Sequence, residues 1–261
     1  IHTLILGTHP SQTSLQLGQN FGHPQNAFWW IAGDCLGFRR AAGVKADGKS
    51  PMALAQYLRY DGSDKILGYD DQVRVFCSHG FALWDVVKSC VRPGSLDSNI
   101  KKEETNDIRG FVEQHAPNVK RIVFANGGTS SALFCKHYRD WWMQEEDEGE
   151  DDDQRQHRQL VPGSNPESIK AFARLVKARN KKLEKKKGEA TNEDSSTLSA
   201  SSSIPLPPIE CISALSVSPA AAKYTYVQKR DFWETYVYGP GLQDFEEWKN
   251  QQKNQHNKQQ E

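Results

Sequence analysis

The chain has 261 residues, enough for one large or two small domains, and its 33 Lys and Arg balance its 33 Asp and Glu. A net charge of zero argues against a protein that coats nucleic acid through a strongly basic surface. Hydrophobic content of 37% is low for one compact core, so part of the chain is expected to lie outside it. No apolar run nears the roughly 20 residues of a membrane span. The five cysteines, Cys35, Cys77, Cys90, Cys135 and Cys211, form no CxxC pair. That sets aside a disulfide framework, a zinc site and an iron–sulfur cluster, and points to reduced thiols. The chain opens at Ile1 without a Met, so a preceding segment that carries any targeting signal is expected.

In chain order, the first element is the apolar run "TLILG" (Thr3–Gly7), which ends in the polar turn "THPS". A run that does not alternate suits a strand buried on both faces, as in a parallel sheet. Helical patterns follow at Ala27–Leu36 and Pro51–Tyr60. "FALWDVV" (Phe81–Val87) is a further strand candidate, and "RIVFANGG" (Arg121–Gly128) another. The helix over Thr129–Tyr138 then has a Thr or Ser available as N-cap. Met143–Ser203 changes character: an acidic block (Glu145–Asp153), a basic one (Lys177–Lys187) and "EDSSTLSASSS". Within it, Ile169, Phe172, Leu175 and Val176 are spaced for a charged helix over Ser168–Lys187, read first as a solvated face and otherwise as a DNA contact or part of a nuclear targeting signal. "IECISALSVSP" (Ile209–Pro219) returns to strand character.

Strands that alternate with helices imply a three-layer α/β/α domain with a central, mostly parallel sheet. The expected organisation is one such domain from 1–142 and 204–239. It would be interrupted by a charged, largely disordered insertion at 143–203 and followed by a polar, disordered tail at 240–261. In this architecture ligands bind beyond the carboxyl ends of the strands. "GTHPSQ", the "WD" of Trp84–Asp85, "NGG" and "SVSP" each follow a strand and are therefore expected to converge on one edge.

The stretch "QNFGHPQNAFWW" (Gln19–Trp30) sets Asn20, His23 and Asn26 among aromatic rings directly after the first strand. Phe28, Trp29 and Trp30 continue into the helical pattern with Ile31 and Leu36 and are assigned to the core. Asn26 either caps that helix or serves a site, and the two roles are compatible.

Taken together, "LILGTHPSQTSLQLGQNFGHPQNAFW", "LWDVVKSCVRPGSLDSNI" and "ALSVSPAAA" resemble the uracil-DNA glycosylase superfamily. Within it the nearest likeness is to the hypoxanthine-DNA (deoxyinosine) glycosylases. The resemblance covers most of 1–142 and 206–238, and its motifs are specific in combination rather than singly. It implies a uracil-DNA glycosylase-like fold that flips a deaminated base from DNA and hydrolyses its N-glycosidic bond. It puts His9 where many members carry Asp or Asn, and Asn26 at the Asn of "HPxNAFW", so Asn26 is the expected catalytic side chain with His9 as a lesser acid–base candidate. Phe21 would stack on the base, Asp85 would read it, and Gly7 and Thr8 would line it. Ser11, Arg92 and Ser95 on one side, and Ser216, Ser218, Pro219 and Lys223 on the other, would contact DNA. Within that set Arg92 and Ser95, together with Ser98, are candidates either to contact DNA or to brace the site. The resemblance implies that the loop "LSVSPAAA" (Leu215–Ala222) pinches the DNA backbone and fills the gap left by the flipped base, but Leu215 and Ala221 depart from the family pattern, which puts both its intercalation and its grip in doubt.

No lysine stands inside these motifs to form a Schiff base, so the resemblance implies a monofunctional enzyme. Neither metal nor organic cofactor is expected. The expected partner of this monomer is DNA with a deaminated or mismatched base, in the nucleus or else the mitochondrion. Two other readings stay open: a catalytically inactive glycosylase fold that binds DNA, and a uracil- or mismatch-specific glycosylase.

Overall fold

The computed structural model describes residues 1–41, 55–143, 158–190 and 206–258. The elements run β1 (Thr3–Gly7), α1 (Gln12–Leu17), α2 (Phe28–Leu36), β2 (Arg39–Arg40), β3 (Ile66–Leu67), α3 (Tyr69–Ser78), β4 (Phe81–Asp85), β5 (Val87–Val91) and β6 (Lys101–Thr105). They continue with α4 (Ile108–His115), β7 (Arg121–Phe124), α5 (Gly128–His137), α6 (Arg139–Met143), β8 (Leu160–Pro162), α7 (Pro166–Ala190), β9 (Ile209–Ser213), α8 (Tyr226–Trp233) and α9 (Gly239–Lys258).

Five strands form one parallel sheet in the order β4-β1-β7-β9-β8. Successive side chains of a strand point to opposite faces, so Ile5, Val123 and Ile212 join one core while Leu4, Leu6, Ile122 and Phe124 join the other. The first core is closed by α2, α3 and α8 through Phe28, Trp29, Phe76 and Trp233. The second is closed by α4 to α7 through Ile108, Phe134, Trp142 and Phe172. This is the three-layer α/β/α architecture read from the alternation of elements. Off the sheet's edge, β5 and β6 pair as an antiparallel ribbon.

Three expectations are corrected. The segment 143–203 contributes to the fold: β8 pairs with β9, and Leu160, Phe172 and Leu175 are buried. The few apolar residues of this charged stretch are spaced to cover the sheet, so its composition concealed its role. Its acidic block, Glu145–Asp153, lies outside the described residues, as do its Ser-rich end and the first four residues of the helix expected over Pro51–Tyr60, whose described remainder forms a single 3₁₀ turn at Ala55–Tyr57 and no α-helix. The tail forms α9, tied to the sheet by Asp244, which accepts from Lys120 at 2.6 Å and from Arg121. Finally, α5 begins one residue early with Gly127 as its N-cap, and Thr129 caps nothing.

One buried acid joins α2, β2 and α8. Asp34, with 1% of its side chain accessible, accepts from the Arg39 guanidinium, the Tyr226 hydroxyl at 2.9 Å and the N–H groups of Arg59 (2.9 Å) and Tyr60 (3.0 Å). Removal of one partner from a buried ion pair leaves the other charge uncompensated, at a cost of about 3–5 kcal/mol. Asp34→Ala is therefore expected to lower unfolding free energy by about that amount. A urea midpoint equal to wild type would refute the assignment.

Candidate active site

The four polar motifs that follow strands do converge. Gly7 at the end of β1 with Thr8 after it, Asp85 at the end of β4, Asn126 after β7 and Ser216 after β9 line one cleft of about 620 Å³ at the carboxyl edge of the sheet. His9, Ser11, Phe21, Asn26, Ser95 and Ser218 also line it. Two loops form its lips: Ser95–Ser98, between β5 and β6, and Ser218–Ala221, between β9 and α8.

The turn that carries Phe21 and Asn26 is fastened from below. Ser14 is buried, accepts from the Gly22 N–H at 3.0 Å, and is reached by the Ser11 hydroxyl at 3.0 Å. Ser11 also caps α1. Trp29 Nε1 donates to the Asn20 carbonyl at 2.8 Å and Trp30 Nε1 to that of Pro24 at 3.0 Å. Arg40, buried with its guanidinium over the Trp30 ring, donates to the carbonyls of Gly22 and His23. These ties hold Phe21 at φ +53°, a left-handed backbone that costs a residue other than glycine about 1–3 kcal/mol. The Phe21 ring stacks on Phe28 at 4.4 Å between centroids.

Asn26 Oδ1 accepts from the Phe28 N–H at 2.9 Å, so the side chain does brace the start of α2. Among the described residues its Nδ2 donates to none, and the side chain lines the cleft. The bond made by the oxygen thus aims the amide NH2 at the site.

Asp85 faces Gly7 across the β1–β4 pair. No donor among the described residues meets its carboxyl. Burial, reinforced by the nearby Asp97 and opposed by Arg92, pushes its pKa up to about 7. His9 has the opposite perturbation: burial lowers it below the usual 6.5, and Arg92 adds to the effect. Its Nδ1 lies 3.1 Å from the Pro10 carbonyl, which can only accept. The proton therefore sits on Nδ1, leaving Nε2 as an acceptor.

Two residues among the candidates for DNA contact, Arg92 and Lys223, do not line the cleft. The Arg92 guanidinium is only 4% accessible and is spent on Asp97 (3.3 Å) and on the carbonyls of His9 (3.4 Å) and Pro10. It braces the first motif, because those carbonyls face inward and need donors. Lys223 is exposed, lies over the Tyr224 ring and does not line the cleft. Ser95 lines the cleft and accepts from the Gln12 N–H at 3.1 Å. Ser216 and Ser218 each accept from an N–H two residues on, at 3.3 Å. Sequence reading did not single out Asn126, whose Nδ2 donates to Thr8 Oγ1 (3.0 Å) and Asp97 (3.3 Å), although its position in "NGG" after a strand was a usable signal. It also passed over Lys229, 6% exposed, whose Nζ donates to the carbonyls of Ala221 (2.9 Å) and Ser218 (3.4 Å) and so fixes one lip.

No family model matches the chain. Hypoxanthine DNA glycosylases of Methanosarcina barkeri and Methanosarcina acetivorans are each 31% identical to it, over 127 and 121 residues. Those matches span 49% and 46% of this chain and 64% and 61% of the relatives, just under two thirds of their length. A solution NMR structure of a candidate uracil DNA glycosylase from Methanosarcina acetivorans superimposes with a TM-score of 0.43 at 20% identity, over 91% of this chain and 88% of that one. The motif resemblance is borne out over about half of the chain, which is similar there to proteins of the glycosylase class. Within it, the likeness is to hypoxanthine DNA glycosylases.

The Asp85 carboxyl binds its proton more tightly in the folded chain than in the unfolded one. The stability this confers is complete below the ordinary carboxyl value of 3.8 and is lost as pH climbs through about 7. Asp85→Asn, uncharged throughout, should gain Tm relative to wild type between about pH 5 and about pH 8. Thermal denaturation that gave one constant Tm difference across that range would count against a buried, protonated Asp85.

Proposed function

We propose that this protein is a DNA glycosylase that draws a deaminated base, hypoxanthine ahead of uracil or xanthine, into the cleft and hydrolyses its N-glycosidic bond. The observation that carries this reading is the meeting of Phe21, Asn26, His9 and Asp85 in one cleft at the carboxyl edge of the sheet. The likeness to hypoxanthine DNA glycosylases supports it.

Each residue type suits a part of the reaction. The Phe21 ring, backed by Phe28, offers a face for the base, and such stacking is worth about 1–3 kcal/mol. Deamination replaces an exocyclic amino donor by a carbonyl acceptor, which is what the Asn26 NH2 requires. As the glycosidic bond breaks, negative charge grows on the base, and a fixed donor stabilises it. A neutral Asp85 both donates and accepts, the complement of a lactam C=O/N–H edge. His9, through Nε2, can accept from the attacking water. Among the described residues no lysine lines the cleft, which supports release of the base without a Schiff base at the sugar.

The test is a panel of oligonucleotides with a single hypoxanthine, uracil or xanthine, incubated with the protein and cleaved at abasic sites by alkali. Wild type should release hypoxanthine. Asn26→Asp keeps an acceptor for the Phe28 N–H but loses the NH2, so it should fold normally, still bind duplex, and lose about 10²–10³ in single-turnover rate. Excision by Asn26→Asp at the wild-type rate would overturn the assignment. A wild type that binds duplex but releases no base would instead mark a non-catalytic DNA-binding fold, a reading that the small side chains of Ala220 and Ala221 on one lip favour.

A further inference from the structure

A base can enter the cleft only if its nucleotide leaves the stack, and the gap must be held open at a cost of a few kcal/mol. Proteins that do this insert an apolar side chain between base steps. The two lips differ in what they offer. Beyond hydroxyls, the Ser218–Ala221 lip carries one proline ring and two methyl groups. The opposite lip carries Leu96, with 56% of its surface exposed. Among the described residues, Leu96 is the large, exposed apolar side chain that lines the cleft; Leu15, Leu17, Val91 and Ile169 are comparably exposed and do not.

Leu96 is also rigidly mounted. Its carbonyl accepts from the Asn99 N–H at 3.0 Å, which opens the 3₁₀ turn Asp97–Asn99. Asn99 Nδ2 donates to the Pro93 carbonyl at 3.1 Å. Asp97 is held by Arg92 and by Asn126, each at 3.3 Å, and Ser95 by the Gln12 N–H. The loop is thus bonded on both sides of Leu96 to the floor of the cleft, while the leucine itself faces water. A loop tied this closely spends no conformational entropy to present the side chain at the moment of contact.

We infer that Leu96 is the wedge that enters the duplex and occupies the place of the flipped nucleotide, with Ser218–Ala221 as the opposing grip. This rests on the glycosylase reading and adds the residue that opens the helix.

The test compares wild type, Leu96→Ala, Leu96→Phe and Pro219→Ala, with Leu183→Ala as an exposed leucine outside the cleft. Single-turnover excision is measured on one hypoxanthine oligonucleotide, single-stranded and as duplex. In parallel, 2-aminopurine placed beside the hypoxanthine reports unstacking by its fluorescence on binding. Leu96→Ala is expected to lower the ratio of duplex to single-strand rate by about tenfold or more, with Leu96→Phe restoring most of it. The 2-aminopurine signal should fall in Leu96→Ala and stay at the wild-type level in Leu183→Ala. The inference is overturned if the ratio is unchanged in Leu96→Ala, if both rates fall together, or if Pro219→Ala alone lowers the ratio. Should wild type excise nothing from either strand form, the glycosylase reading fails, while the fluorescence signal still decides whether Leu96 opens the duplex.

Discussion

Gly7 ends β1 without a side chain, and the space its Cβ would take is already full. The Asp85 carboxyl oxygen lies 2.2 Å from that position and the tip of the Phe21 ring 3.4 Å from it. Any other residue at position 7 would push out the acid, the ring or both. The approach is set by register, because β1 and β4 are parallel neighbours with Gly7 opposite Asp85. From it follow the burial that holds Asp85 protonated to about pH 7 and the floor against which Phe21 rests. Phe21 in turn reaches that floor only from a left-handed backbone, which the bonds to Ser14, Trp29 and Arg40 around it sustain.

Core and cleft share one aromatic seam. Phe28 stacks on Phe21 and meets Trp29, Phe76 and Trp233 edge-on or tilted in the core behind. Three buried tryptophans each spend their indole N–H on a carbonyl of a loop at the cleft: Trp29 on Asn20, Trp30 on Pro24 and Trp233 on Leu215. The Val217 carbonyl accepts from the Ala27 N–H at 3.0 Å, so the lip after β9 is also bonded to the start of α2. A buried indole N–H needs an acceptor. Here that need positions loops whose own side chains face outward.

The sheet was legible because strands buried on both faces read as continuous apolar runs. β1, β4, β7 and β9 all fall within the runs that were singled out. The site was legible where chemistry follows a strand or opens a helix, as at Asp85 and Asn26. The direction of charged side chains was not legible. Arg92, Lys229 and Arg40 all turn inward to satisfy backbone carbonyls that no sequence pattern marks as needing donors. Nor could composition show that a charged stretch adds β8 and α7. Leu160, Phe172 and Leu175 are buried against that edge, while Lys181 and Lys185 of α7 are exposed.

On the proposed reading the cleft receives DNA, and its two carboxyls then call for an electrostatic explanation, since phosphates would be repelled by both. Asp97 is paired with Arg92 and accepts from Asn126, so its charge is matched within the wall. Burial and that same Asp97 push the Asp85 pKa up to about 7, so that below this pH it is protonated, and burial and Arg92 favour a neutral His9. The cleft therefore presents dipoles more than net charge: the Asn26 NH2, the Asp85 hydroxyl, the His9 lone pair and the serine hydroxyls of its lips. Preoriented dipoles of this kind discriminate by the donor and acceptor pattern of a base and strengthen as water leaves. A fixed charge would instead attract or repel every base alike. On this account Arg92 acts on the site from within its wall: it matches the charge of Asp97 and favours a neutral His9, while the burial of Asp85 outweighs the pull of Arg92 toward the carboxylate.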